Sequence, residues 1–188
     1  MKRNLTGKCW IFILVCLCLS GCFCAGASSR SVSVVTWNVQ TFFDANTSGS
    51  EYSDFIRSKQ WGVQAYEARL KRLCEVMRQL DADVYVFEEI ENKNILIDIS
   101  NRLSGNSWNQ GRNWNYAFFA KNEGGATGCA VLSRFPLAEP TVHNLDVRTE
   151  QEKQPEMRPL IRLTVLANGT SLVLFVNHWK SKSGGAEK

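Results

Sequence analysis

Several polar side chains stand where strand-like runs begin or end. Asn38 closes SVSVVTWN, Glu88, Glu89 and Glu91 close VYVFEEIE, Arg158 opens RPLIRLTVL, and Asn177-His178 follow TSLVLFV. Strand ends on a sheet scaffold hold groups rigidly toward a cleft. Carboxylate and amide oxygens suit a hard cation such as Mg²⁺. An imidazole can protonate a leaving oxygen or stabilise developing charge, and a guanidinium can grip a phosphate through two hydrogen bonds. Metal, cation and acid–base group together are what phosphate-ester hydrolysis needs. Singly, each residue has a plainer explanation. Asn after a strand forms turns, glutamates after an apolar run mark where the chain meets water, and a lone histidine is usually a surface or satisfied residue. His143, in a polar loop between Pro140 and Pro155, is assigned to that plainer class.

The elements that must position this set follow from the patterning. SVSVVTWNV, rich in Val and bounded by Ser and Asn, reads as a strand. Residues 44–62 mix Asn, Ser, Gly and scattered aromatics and read as a loop. Leu70, Leu73, Met77 and Leu80 fall at helical spacing within 65–80, with Lys71, Arg72, Glu75 and Arg78 on the other face. VYVFEEI is a short β-branched and aromatic run suited to a buried strand, and 94–103 is a second helix. YAFFA, GCAVLSRF, RPLIRLTVL and TSLVLFVNHW complete the strands, with Asn168-Gly169 as a hairpin turn between the last two. The order implies an α+β domain whose mixed sheet carries helices on one face.

Not all 188 residues belong to that body. The first 21 run from cations (Lys2, Arg3, Lys8) through an apolar stretch to small residues, a signal-peptide layout too short for a spanning helix. Leu19-Ser20-Gly21-Cys22 resembles a bacterial lipobox, with Cys22 as the lipidated residue and 22–31 as a polar tether before a domain over 32–188. A single acyl chain anchors weakly, so stable attachment needs more than one. The alternative is plain secretion with cleavage near Ala25-Gly26-Ala27. Either way the expectation is an exported protein, membrane-anchored in the periplasm or at the cell surface if Cys22 is lipidated. Removing 1–21 leaves 19 Lys and Arg against 18 Asp and Glu, so the whole-chain charge of +4 is mostly targeting and argues nothing about nucleic acid. Five of the seven cysteines crowd the leader. Cys74 and Cys129 remain, enough for one bridge after export or two buried thiols, but not for a disulfide framework or a zinc site.

Five stretches occur in a familiar order: TWNVQTFFD, DADVYVFEEIEN, GGATGCAVLSRFPL, RPLIRLTV and FVNHWKSKSGG. Together they resemble the endonuclease/exonuclease/phosphatase superfamily, the deoxyribonuclease I-like enzymes, over about Val34 to Gly185. The resemblance implies a four-layer α/β/β/α sandwich. It also implies Mg²⁺ or Mn²⁺ held by Glu89 and Asn38, and Arg158 on the phosphate. His178, with Asn177 beside it, would act on the phosphoryl group or leaving oxygen. Lys180 and Lys182 resemble a basic stretch facing the substrate. Glu88 stands where a glutamine is common, and strand alternation places it on the opposite side from Glu89.

In that family the pattern continues with a Gly-Asp-x-Asn segment and an Asp-His pair, neither of which occurs here. The expectation is a chain representing the N-terminal portion of the fold, by fragmentation, an interrupted reading frame or shortening of a homologue. It would be weakly active alone and would leave an apolar sheet face for a partner, such as a separate C-terminal half. The substrate implied is a phosphate ester, DNA or RNA among the candidates. The near-neutral body lacks the basic surplus of a dedicated DNA binder, whereas NHWKSK and the export signal favour a nuclease-like activity. The alternative is a non-catalytic surface lipoprotein acting as a binding module.

Overall fold

A computed structural model describes residues 31–59, 61–104, 113–145 and 158–179. The leader, Cys22, the tether up to Arg30, Pro155, Lys180 and Lys182 lie outside the described residues. The described part consists of two sheets and three helices.

The first sheet is ordered β1-β2-β4-β3, built from β1 (Val34–Phe42), β2 (Val84–Ile90), β3 (Tyr116–Ala120) and β4 (Gly128–Ser133). β1 and β2 run parallel and the other pairs antiparallel, so the sheet is mixed. The parallel pair needs a crossover, which is supplied by a short helix α1 (Ser53–Ile56) and the long helix α2 (Val63–Leu80). A third helix, α3 (Lys93–Ser104), follows β2. Alternation along β2 divides the core. Tyr85, Phe87 and Ile90 pack with Leu70, Leu73, Met77, Ile95 and Ile99 of the helices, whereas Val84 and Val86 face the other way.

That other face meets the second sheet, ordered β5-β6-β7 and antiparallel throughout. Its strands are β5 (Leu137–His143), β6 (Leu160–Ala167) and β7 (Thr170–Val176). Ile161, Leu163, Val165 and Val176 pack on Val84, Val86, Cys129 and Val131 to fill the space between the sheets. The layers are therefore helices, sheet and sheet. The outer face of the second sheet shows Leu166, Val173 and Phe175, the last 61% exposed. Among the described residues no helix is long and apolar enough to cross a membrane.

Two expectations are corrected. Residues 53–56 form a helical turn inside the expected loop, where Phe43, Phe55 and Trp61 pack edge to face. His143 does not sit in a loop but ends β5, a strand hidden from pattern reading by Pro140. Proline is tolerated there because β5 is an edge strand and its register shifts between Ala138 and Thr141. Of the two alternatives for Cys74 and Cys129, the structure has the free, buried thiols.

Candidate active site

The C-terminal ends of β1 and β2 are both irregular, and the irregularity builds the site. On β2, Glu88 pairs with Cys129 and Ile90 with Gly128, so Glu89 is an extra residue opposite nothing. Such a bulge re-aims a side chain. Glu89 takes a φ of 65°, and on β1 Gln40 and Thr41 each take 55°. Left-handed backbone at non-glycine residues costs of order 1–3 kcal/mol each, and a β-branched threonine there is a genuine outlier. Gly128 belongs to the same construction, because a Cβ at that position would come within 2.2 Å of the Ala120 carbonyl oxygen.

Hydrogen bonds offset the strain. The Thr41 N–H donates to Glu89 Oε2 at 2.8 Å, and the Thr41 hydroxyl reaches the same oxygen at 3.2 Å. The Gln40 N–H donates to Asn38 Oδ1 at 2.8 Å. Asn38 Nδ2 donates to Glu89 Oε1 at 3.0 Å and lies 3.4 Å from His178 Nε2. His178 arrives just after β7, in the other sheet, and its Nε2 is 3.5 Å from Glu89 Oε1. An amide, a carboxylate and an imidazole from three separate stretches of chain thus share one spot.

The electrostatics follow from this packing. Partial burial works to raise the Glu89 carboxyl, but hydrogen bonds from Asn38 and Thr41, with His178 nearby, outweigh it and hold the carboxyl below its usual range. His178 is pushed down, first by burial and then by the Arg158 guanidinium, against the opposing pull of Glu89 and Glu88. That direction favours the neutral imidazole, which can accept a proton through Nε2. Its Nδ1 is buried and finds no hydrogen-bond partner among the described residues.

Arg158, half-buried just before β6, is thus close enough to act on His178. Asn177 is half-buried beside His178 and makes no hydrogen bond to Asn38 or Glu89. Glu88 is not on the far side of the strand from Glu89. The bulge cancels the alternation, and Glu88 faces the gap between the sheets, where Thr36 donates to it at 3.4 Å and it acts on His178. Glu91 is no part of the site: it is buried and accepts the Asp44 N–H at 2.7 Å. Pattern reading missed Thr41 and Arg69. Arg69 lies on the apolar stripe between Tyr66 and Leu73, an unusual place for a charge, and that position was the available signal.

A divalent cation was expected at Glu89 and Asn38. The donor chemistry fits in part. Glu89 offers an ionised carboxylate, and Mg²⁺ is commonly held by one or two carboxylates plus waters and substrate phosphate. Asn38 turns its Nδ2, not its oxygen, toward Glu89. Among the described residues no cluster of three or more His, Cys, Asp or Glu could form a closed cage.

The sequence pattern of the Endonuclease/Exonuclease/phosphatase family matches residues 33–188. The chain belongs to this family. Among solved structures it is similar to TDP2 of Caenorhabditis elegans, at 16% identity and a TM-score of 0.50, covering 80% of this chain and 35% of that one. It is also similar to an endonuclease/exonuclease/phosphatase family protein from Leptotrichia buccalis. There the identity is 11% and the TM-score 0.51, with 81% of this chain and 55% of that one covered. The chain thus spans about a third to a half of the solved structures it matches. No curated protein matches it.

Proposed function

We propose that this chain carries the phosphate-binding and acid–base part of an exported, lipid-anchored, Mg²⁺- or Mn²⁺-dependent phosphoesterase acting on phosphodiesters in a nuclease-like manner. The supporting observation is the convergence of Asn38, Glu89 and His178 within 3.5 Å across two sheets. Family membership supports phosphoester hydrolysis, and the names of the similar structures agree with it.

In this reading Glu89 would hold the cation, with Asn38 fixing the carboxylate at one oxygen and Thr41 at the other. The bound cation would polarise the phosphoryl oxygens and neutralise developing charge. Arg158 binds the phosphate and lowers the His178 pKa. His178 takes a proton from the attacking water at Nε2, and the imidazolium so formed can return it to the leaving oxygen. Lys180 and Lys182 follow His178 in sequence and would meet the anionic substrate. The leader and Cys22 would carry the protein out of the cytoplasm and anchor it at the membrane.

The test is hydrolysis of plasmid DNA and of bis(p-nitrophenyl) phosphate by the purified chain with and without Mg²⁺ or Mn²⁺, beside Glu89→Ala and His178→Ala. Metal-dependent turnover lost in both variants supports the assignment; turnover that survives both overturns it. A second reading, a binding module, is favoured by the apolar outer face bearing Val173 and Phe175. It predicts a melting temperature indifferent to divalent cations.

A further inference from the structure

The site's two oxygen-bearing groups are oriented by a segment that is itself strained. Residues 38–41 deliver the Gln40 N–H to Asn38 and the Thr41 N–H and hydroxyl to Glu89. Gln40 and Thr41 do so in the left-handed region, which neither side chain favours. Relaxation of either residue would withdraw its N–H from the site, so something must hold the segment from behind.

That hold is a single side chain on α2. Arg69 Nη1 donates to the Thr41 carbonyl at 2.9 Å, and Nη2 donates to the carbonyls of Gln40 and Val39 at 2.8 and 3.1 Å. Three consecutive carbonyls are gathered by one planar fork, a geometry the point donor of a lysine cannot reproduce. The fork is itself fixed, because the guanidinium carbon lies 4.7 Å from the centre of the Phe42 ring and 5.7 Å from that of Phe55. Arg69 also lines a hollow of about 310 Å³ with Trp37, Asn38 and Gln40.

The geometry points to Arg69 as a positioning residue of the active site. It acts through the strained Gln40-Thr41 backbone to aim Glu89 and Asn38, touching neither the cation nor the substrate. The inference rests on the metal-dependent reading above and deepens it. Its sign separates it from a simple charge effect. Deleting a cation near a metal site should tighten divalent binding by electrostatics alone, whereas losing the brace should weaken it. Partners that orient metal ligands typically contribute 10–100-fold in metal affinity.

The experiment uses the full chain with Arg69→Met, Arg69→Lys and, as a charge control, Arg72→Met. Mn²⁺ affinity is read from the electron-spin signal of free ion, and the Thr41 amide is followed by hydrogen exchange without metal. Arg69→Met should bind Mn²⁺ about 10-fold or more weakly and exchange the Thr41 amide at least about 10-fold faster. Exchange within the rest of α2 should stay unchanged. Arg69→Lys should fall between parent and Arg69→Met, and Arg72→Met should bind as tightly as the parent or tighter. Equal or tighter Mn²⁺ binding by Arg69→Met overturns the inference, as does an unchanged Thr41 amide. If the parent itself binds no Mn²⁺, the metal reading fails, and the amide exchange alone decides whether Arg69 braces the segment.

Discussion

His178 Nε2 lies 3.5 Å from Glu89 Oε1, although the two residues come from different sheets. The contact is the point at which both sheets take part in one site. Since burial and Arg158 push the imidazole down while Glu89 pulls it up, the pair is balanced toward a neutral base beside an ionised acid. If the proposed function holds, replacing His178 with Ala should lower metal-dependent phosphodiester turnover by about 100-fold or more, the usual contribution of a positioned acid–base group. Steady-state kinetics on bis(p-nitrophenyl) phosphate checks this; a change of less than threefold, with folding intact by circular dichroism, would rule out the role.

The far end of the first sheet is held by a different kind of contact. Arg134 is buried there, its ring-like plane 3.9 Å over Trp114, with ion pairs to Asp81 and to Asp83 at 3.6 Å. Asp83 in turn accepts the Ser33 N–H at 3.0 Å, tying the starts of β1 and β2 together. Removing one partner of a buried ionic network leaves an uncompensated charge, costing about 3–5 kcal/mol. Arg134→Ala should therefore lower the urea midpoint by that equivalent while Mn²⁺ affinity at low temperature is kept. A loss below about 1 kcal/mol would contradict the buried-network account.

Cys129 faces the core between the sheets, and burial pushes its thiol up to about 12; Cys74, on the buried face of α2, is pushed to about 11 for the same reason. Thiolate is the reactive form. At pH 8 a thiol with a pKa near 11 is about 0.1% ionised, against roughly a quarter for a free cysteine. Iodoacetamide at pH 8, read peptide by peptide in a mass spectrometer, should leave both native residues unlabelled and label both in urea. Rapid native labelling of either would place it outside the core.

The elements were largely legible because their residues repeat at the right period. Val34 to Val39 alternate, Leu70, Leu73 and Met77 fall on one helical face, and Asn168-Gly169 marks its hairpin. β5 was hidden because an edge strand with Pro140 and an irregular register has no clean alternation. The site was half legible. Asn38, Glu89 and His178 stand at strand ends, and resemblance supplied their grouping. The bulge at Glu89 could not be read, since a single unpaired residue leaves no periodic trace. It re-aims Glu89, so that Glu88 and Glu89 no longer stand on opposite sides of the strand. Arg69 escaped for a similar reason: its role depends on carbonyls, and carbonyls carry no sequence signature.

Glu91, two residues beyond the site and pointing away from it, gives a pH dependence that concerns stability alone. Burial raises its carboxyl to about 7, the Asp44 N–H opposes the shift, and the neighbouring Asp44 and Glu51 carboxylates add to it. Its folded pKa thus lies above the ordinary value of 4.5. Between those two values the native state binds more protons than the unfolded chain, so stability falls as pH rises, by up to about 1.4 kcal/mol per pH unit. The contribution is complete below pH 4.5 and gone above about 7. Glu91→Gln keeps an oxygen for the Asp44 N–H and removes the charge. In urea unfolding with chelator present, the variant should lose the slope between pH 5 and 7. At pH 8 it should be more stable than the parent by about 3 kcal/mol. Parallel curves for the two proteins would show that Glu91 is ionised in the fold without penalty, and that the loop from Asp44 to Glu51 is held by something other than a shared proton.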